Sequence, residues 1–527
     1  MGAPSHHTNA RPARAPLAGA AGVEHSEETL DCYSELYEAR AMVYAPADVT
    51  ELRAVLARAV AEGRRVTFRA GGNSLDAQAL GDDVVVSLAR LDRVEIDPGA
   101  RKLTVGPGAR WGEILARLER YGLVPAVTVT TARATAGGTL SGDCLSRFSP
   151  AYGKEGHWVD SFDLLTLDGR VLTCRPPRPG VAWDELTLEE RAFSGVVGGL
   201  GWLGAVISIT YTVLHTGATD GRVGVRSIVR KYGTYAHLAR DLVPAAKKTS
   251  LERSDPEDPE KLDGIYSAVH TDDAGVTSAI LVTSAFTTTR DRKRMALHQP
   301  DLAIRPLAEI LMRWSWLAER VLWPLFFRFA YRDGEEFVDD LAGYTFFMDG
   351  NYRAKDLATS LGFTFKTVQQ TFVVPSDPGA LGGWDKAKDD LVEWLEHAHE
   401  RLLAVGARPT LQDVLYLPAD DPFLLSATAG LAGFAVTYAF ETSNEERIAT
   451  IRAALTELAD TLWDKFGGRV YLVKNVCARR ETLAKMYGPN AVRMFELKRE
   501  LDPGLVLRNE FLERTFGGLV DPPAEGA

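Results

Sequence analysis

Two glycine pairs give this chain places to hold an anion. Arg69-Ala70-Gly71-Gly72-Asn73-Ser74-Leu75 follows the β-branched run Val66-Thr67. Adjacent glycines after a strand let the backbone turn and bring successive N–H groups onto one oxyanion, as a pyrophosphate requires. Standing alone, the pair reads more readily as a tight turn that needs positive φ. A second segment, Thr135-Ala136-Gly137-Gly138-Thr139-Leu140-Ser141-Gly142, followed by Ser146 and Tyr152-Gly153, adds hydroxyl donors to bare backbone. Two such segments flanking a strand-rich stretch suit the two ends of a long nucleotide. A third cluster, Gly199-Leu200-Gly201-Trp202-Leu203-Gly204, has the GxGxxG spacing of dinucleotide-binding turns, which need a helix behind them. Here Val206-Ile207-Ser208-Ile209-Thr210-Tyr211-Thr212-Val213 follows, a strand by its β-branched content, so the Rossmann reading fails on context.

Other chemistries find little support. His157 is either a base or a loop scaffold. No CxxC or HxxxH pair offers a metal site, and no GxSxG elbow offers a serine nucleophile. Cys32, Cys144, Cys174 and Cys477 are too scattered for a disulfide framework and point to a reducing cytosol. With 60 Lys+Arg against 71 Asp+Glu the net charge is -11, so nucleic acid is excluded as a partner.

The elements that must position the glycine segments are short. Asp48 opens a helix whose apolar face is Leu52, Val55, Leu56 and Val60. Strands are expected at 65–68, 84–88, 94–96, 102–105, 162–167, 171–174 and 205–214, with a turn at Asp168-Gly169 and a helix from Trp111 to Tyr121. Further on, 367–375 and 434–440 read as strands, 384–405 and 444–466 as helices, and 469–516 as short pieces of both, with Val470 to Val473 an apolar strand. The pattern is α+β. Of the 527 residues, 46% are hydrophobic, enough for several folding units. They divide into a tail (1–28) without the apolar core of a signal peptide, a domain at 29–215, a second at 216–470 and a closing segment at 471–527. No 18-residue apolar run spans a bilayer.

In combination these motifs resemble a known family. The order of the two glycine segments, Tyr152-Gly153, the pair of strands about Asp168-Gly169, and Phe193 with Gly198 to Gly204 resembles the FAD-binding domain of the vanillyl-alcohol oxidase / p-cresol methylhydroxylase (PCMH) superfamily. Gly468 to Lys474, Met486-Tyr487, Asp502-Pro503, Asn509 and Val368 to Pro375 are similar to decaprenylphosphoryl-ribose oxidases. The spacing from Gly137-Gly138 to Tyr152-Gly153 is similar to seladin-type sterol side-chain reductases.

The resemblance implies a two-part PCMH-type FAD-binding domain plus an α+β substrate (cap) domain. Its FAD contacts fall on Arg69, Ala70, Gly71, Gly72, Asn73, Ser74, Leu75, Thr135, Gly137, Gly138, Ser141, Gly142, Tyr152, Gly153, Val206 and Tyr471. The FAD is non-covalent, since Asn73 stands where covalently linked members carry histidine and Cys144 reads as a structural thiol. Lys474 corresponds to a flavin-contacting lysine, whose ammonium would stabilise charge on the reduced ring; a lysine at a strand edge facing water is the other reading. Gln369 matches a substrate-pocket glutamine, Thr371 replaces a second one, Arg408 stands at the cysteine attacked by covalent inhibitors, and Tyr416 is a candidate pocket residue. The implied activity is that of an FAD-dependent oxidoreductase. Its expected reaction is reduction of a C=C bond in a fatty-acyl or sterol-type lipid by NAD(P)H; oxidation of a secondary alcohol on a polyprenyl-phosphate sugar and non-catalytic flavin or lipid binding are the alternatives. Residues 312–332, with Trp314, Trp316, Trp323 and four interleaved arginines, suit peripheral contact with the inner face of a membrane, or a packed core helix.

Overall fold

The computed structural model describes residues 14–18, 22–216, 223–251, 262–288, 293–295, 329, 331–360, 362, 366–420 and 422–520. The membrane-contact segment at 312–332 lies outside these residues except for Phe329, Tyr331 and Arg332.

Among the described residues the first half holds two larger sheets, as a two-part domain requires, and one strand pair. Strands β1 (His25–Asp31), β2 (Glu38–Tyr44), β3 (Val66–Arg69) and β4 (Val84–Ser87) form a sheet of order β1-β2-β4-β3, with β4 parallel to both neighbours. The crossover from β2 is the helix Val49–Ala61, capped by Asp48, whose carboxylate accepts from the N–H groups of Thr50 and Glu51. Its buried face is Leu52, Val55, Leu56 and Ala59; the expected Val60 is 40% exposed, one position round the helix. There follow β5 (Val94–Asp97), β6 (Lys102–Val105), β7 (Leu123–Val124), β8 (Val159–Leu165), β9 (Val171–Cys174), β10 (Ala205–Thr212) and β11 (Leu214–His215). Five of them build an antiparallel sheet of order β5-β6-β10-β8-β9, while β7 pairs with β11. The GxGxxG cluster therefore leads into a strand.

Among the described residues the second half has one antiparallel sheet of eight strands: β12 (Gly224–Tyr232), β13 (Gly264–Asp272), β14 (Gly275–Thr287), β15 (Glu336–Asp340), β16 (Lys366–Ser376), β17 (Leu411–Leu417), β18 (Ala432–Thr442) and β19 (Arg469–Val470), in the order β15-β12-β14-β13-β17-β18-β16-β19. Helices Tyr235–Leu251, Gly383–Ala404 and Glu445–Thr461 cover one face, where Phe372 of β16 meets Trp394 at 5.1 Å between ring centroids. The other face looks toward the first half. Two corrections concern the C-terminal stretch. The apolar strand expected through Val473 ends at Val470, so Lys474 leaves a turn. The short pieces beyond it are two helices, Arg480–Leu501, kinked at Gly488, and Glu510–Val520. These helices return to the first half: Lys498, fully buried, donates to Asp502 Oδ2 and to the carbonyls of Trp202 and Leu507, all within 2.9 Å.

Candidate active site

The two glycine segments meet. Gly71 N–H donates to Thr135 Oγ1 at 3.2 Å, and Asn73 Nδ2 donates to the carbonyls of Gly71 and Arg133. The first segment is a loop between β3 and Ala77. The second is a seven-residue helix, Ala136–Gly142, rather than the open loop its glycines suggest. Gly72 has φ +65°, a region β-branched residues avoid, and a Cβ there would lie 2.5 Å from Arg69 Nη2. At Gly137 a Cβ would lie 2.6 Å from that of Pro107, so this backbone comes as close to its neighbour as glycine permits.

Both segments line one cavity of about 350 Å³. Arg69, Ala70, Gly71, Gly72, Asn73, Ser74, Leu75, Thr135, Gly137, Gly138, Ser141, Gly142 and Val206 all contribute to its wall on the first-half side. Ser74 Oγ and Arg69 Nη1 are buried there without a partner among the described residues. Buried donors are almost always satisfied, so a hydroxyl and a guanidinium left open beside a glycine cradle fit a pyrophosphate. The cradle thus suits a dinucleotide such as FAD on the structure's own terms.

The opposite wall is the inner face of the eight-stranded sheet. Period-two alternation turns Gln369 and Thr371 of β16, Leu411, Asp413 and Leu415 of β17, and Thr437 of β18 toward the cavity. Tyr471 and Lys474 close the join between the walls; the Tyr471 hydroxyl donates between the carbonyls of Gly142 (3.2 Å) and Asp143 (3.1 Å). The turn carrying Lys474 is itself fastened to the first half, because Gln78 Nε2 donates to the carbonyls of Leu472 and Lys474 and Asn475 Nδ2 donates to Leu75 O. Burial pulls the Lys474 ammonium below its ordinary pKa, with Asp413 and Cys144 pulling the other way. Burial pushes the Asp413 carboxyl up, against a hydrogen bond from Thr437 and the charges of Lys474 and Arg147. Burial also keeps Cys144 a thiol by raising its pKa.

Five residues singled out in the sequence lie outside this cavity. Tyr416 sits one residue out of register with the cavity side of β17, so its ring packs on the helix side against Trp384 (5.3 Å) and Phe434 (5.5 Å). Tyr152 ends the helix Ser149–Tyr152, which carries it past the cavity to donate to Asp263, and Gly153 caps that helix with φ +76°. Arg408 pairs with Asp273 outside the cavity, while Thr437 occupies the wall. His157 meets Phe423 edge-on at 5.9 Å and does not line the cavity. Sequence reasoning missed Asp413, Thr437, Tyr266, Arg147 and the lining role of Gly199 to Gly204. Arg147 lies five residues beyond the second glycine segment, with its guanidinium carbon 3.7 Å from the ring centroid of Tyr266 and 3.5 Å from that of Phe347. An arginine so near the glycine segment was the signal for it; Asp413 showed only as an acid between Leu411 and Leu415.

Comparison with known proteins gives a family match within the first half and partial matches to several relatives. A family described as FAD binding domain matches residues 40–175. L-gulonolactone oxidase of Bos taurus is 26% identical over 183 residues, 34% of this chain and 38% of that protein. Cytokinin dehydrogenase 10 of Oryza sativa subsp. japonica is 29% identical over 177 residues, 30% of this chain and 29% of the relative. Decaprenylphosphoryl-beta-D-ribose oxidase of Mycolicibacterium smegmatis is 29% identical over 167 residues, 31% of this chain and 34% of the relative. The match thus spans less than two fifths of each of these relatives.

Proposed function

We infer, for a chain that belongs to the PCMH-type FAD-binding superfamily, an FAD-dependent oxidoreductase that exchanges a hydride with carbon in a hydrophobic substrate. The observation that carries this reading is the meeting of three parts at one cavity: a glycine cradle with open donors, the lone ammonium of Lys474, and a sheet wall mixing apolar and hydroxyl groups. FAD, when bound, supplies the acceptor or donor of the hydride. Arg69, Ser74 and the Gly71-Gly72 N–H groups would hold its phosphates without a covalent link. Lys474 favours negative charge that develops beside it, as an oxyanion donor does. Val129, Leu145, Phe347, Met348, Leu411 and Leu415 offer a hydrocarbon surface that excludes water, and Gln369, Thr371 and Thr437 orient a polar group of the substrate.

Within that class we propose reduction of a C=C bond in a fatty-acyl or sterol-type lipid with NAD(P)H as donor, supported by the spacing of the second glycine segment and by Thr371 in place of a glutamine. A segment at 312–332 rich in Trp, Phe and Arg goes with lipid access. Oxidation of a secondary alcohol is the second reading, favoured by the relatives, which are named as oxidases and a dehydrogenase. Anaerobic addition of NADPH to the purified flavoprotein, then of unsaturated lipid or of a long-chain secondary alcohol, separates them. Bleaching by NADPH and recovery of colour with the unsaturated lipid is the expected result. Bleaching by the alcohol alone overturns the reductase in favour of the oxidase, and a flavin that no donor reduces overturns both.

A further inference from the structure

The cavity needs more than an electron path, because a hydride leaving or entering carbon is matched by a proton at the neighbouring atom. Among the described residues that line it there is one carboxyl group, Asp413, and no histidine. Its other titratable walls are poorly placed for proton exchange near neutrality. Burial raises the pKa of Cys144 and of the tyrosines Tyr33, Tyr266, Tyr352 and Tyr471, and the remaining ionisable groups are the cations Arg69, Arg147 and Lys474.

Asp413 is also built into a hydrogen-bonded row. Thr371, Thr437 and Asp413 are direct cross-strand partners on β16, β18 and β17. The Thr371 and Thr437 hydroxyls lie 2.9 Å apart, and Thr437 hydrogen-bonds the Asp413 carboxyl. The carboxyl oxygen Oδ1 has no hydrogen-bond partner among the described residues. A carboxyl beside a threonine hydroxyl, with an oxygen left open, in the wall of a cavity that already holds an ammonium, is arranged to pass a proton. The charges acting on it are Lys474, from the turn after β19, and Arg147, from the loop before helix Ser149–Tyr152; β13 faces it with Ala268 and brings Tyr266 to the same wall.

We propose that Asp413 is the acid–base group of this cavity, giving a proton to the carbon adjacent to the one that receives the hydride. The proposal rests on the reductase reading. The C=C π bond breaks, one new C–H bond takes its proton from the Asp413 carboxyl, and the other takes a hydride whose electron pair comes from the nicotinamide donor through the bound flavin. Asp413 is left as a carboxylate and recovers its proton from water. In the oxidative direction the same group accepts the proton of the alcohol hydroxyl.

Two measurements on the FAD-loaded protein test it. Infrared difference titration of the wild type and Asp413→Asn needs no substrate. A protonated-carboxyl band that titrates above the ordinary aspartate range and is missing from Asp413→Asn is expected; a band unchanged by the substitution overturns the proposal. Reoxidation of the dithionite-reduced protein by unsaturated phospholipid vesicles is the second. Asp413→Asn is expected to slow it by about 10² to 10⁴, with unchanged FAD content and NADPH reduction, and Asp413→Glu is expected to recover part of the rate with a displaced pH profile. A wild-type rate and profile in Asp413→Asn overturns the proposal. If the vesicles fail to reoxidise even the wild type, the reductase reading falls, and the infrared band alone decides whether Asp413 exchanges protons.

Discussion

Replacing Lys154 by Met should uncouple the two halves of the molecule in a pH-dependent way. Lys154, Asp143 and Asp420 are all about 1% exposed. The ammonium contacts Asp143 and Ser426 and lies 2.9 Å from Asp420 Oδ2, so one cation serves carboxylates from both halves of the chain. Asp420 is held in turn by the hydroxyls of Ser426 (3.0 Å) and Thr428 (2.7 Å). Removing one partner of a buried ion pair costs about 3–5 kcal/mol because the survivor stays charged in a poor solvent. Two survivors place Lys154→Met at the upper end of that range, unless one takes up a proton. Burial and the nearby Asp420 already push the Asp143 carboxyl up. Without the ammonium it rises further, so folding then binds a proton that the unfolded chain lacks at high pH. Urea unfolding of both proteins at about pH 8 and pH 5.5 should therefore give a penalty near 4–5 kcal/mol at the higher pH and a clearly smaller one at the lower. A penalty under about 1 kcal/mol, or one that does not change with pH, would refute the claim that this triad carries unscreened charge.

Lys474→Met should slow flavin reduction by about 10² to 10³ and lower the flavin's potential while FAD is retained; stopped-flow and dye-coupled titration that match the wild type would remove the ammonium from the site. Gly72→Val should leave the protein colourless after gel filtration, since a side chain there meets Arg69 at 2.5 Å and a β-branched residue resists φ +65°; normal flavin stoichiometry would mean the phosphates bind elsewhere. Glu155, which accepts from Thr139 and Tyr211, has its carboxyl pushed up to about 8 by burial. Its contribution is full below the unfolded value and lost as pH rises through about 8, at roughly 1.4 kcal/mol per unit of difference. Melting temperatures of the wild type should accordingly fall against those of Glu155→Gln between about pH 5 and 8.5, and parallel curves would show that Glu155 is solvated.

The glycine cradle was legible because its signal is local: a strand, then two residues without side chains, then hydroxyls. Asp48 was legible for the same reason, as a cap next to its helix. The cap sheet was not. Strand β13 is buried on both faces over Gly264 to Thr271, between helices and the cavity side, so the alternation that marks a strand is erased; of the eight described strands only β16, β18 and, in part, β19 were anticipated. Tyr416 and Asp413 show the same limit at one residue's resolution. Both are polar and lie on one strand, and which of them reaches the cavity depends on a parity that no local property of the sequence sets.

The fastening of Lys474 to the first half also governs when a flavin can be captured during synthesis. Asn475 Nδ2 reaches Leu75 O across 400 residues, and Asn509 Nδ2 reaches Gln78 O across 431. At about 5–20 residues per second, a ribosome spends roughly 20–80 s between making the glycine cradle and the residues that close it. For that interval β3 lacks the Val506 carbonyl to which Val66 N–H donates, and Trp202, once made, still lacks Phe495 and Phe511 of the C-terminal helices. Such high contact order makes the cradle a late-forming part of the fold. Flavin colour then reports a finished chain, and truncations at the C-terminal helices should lose it while much of their secondary structure remains.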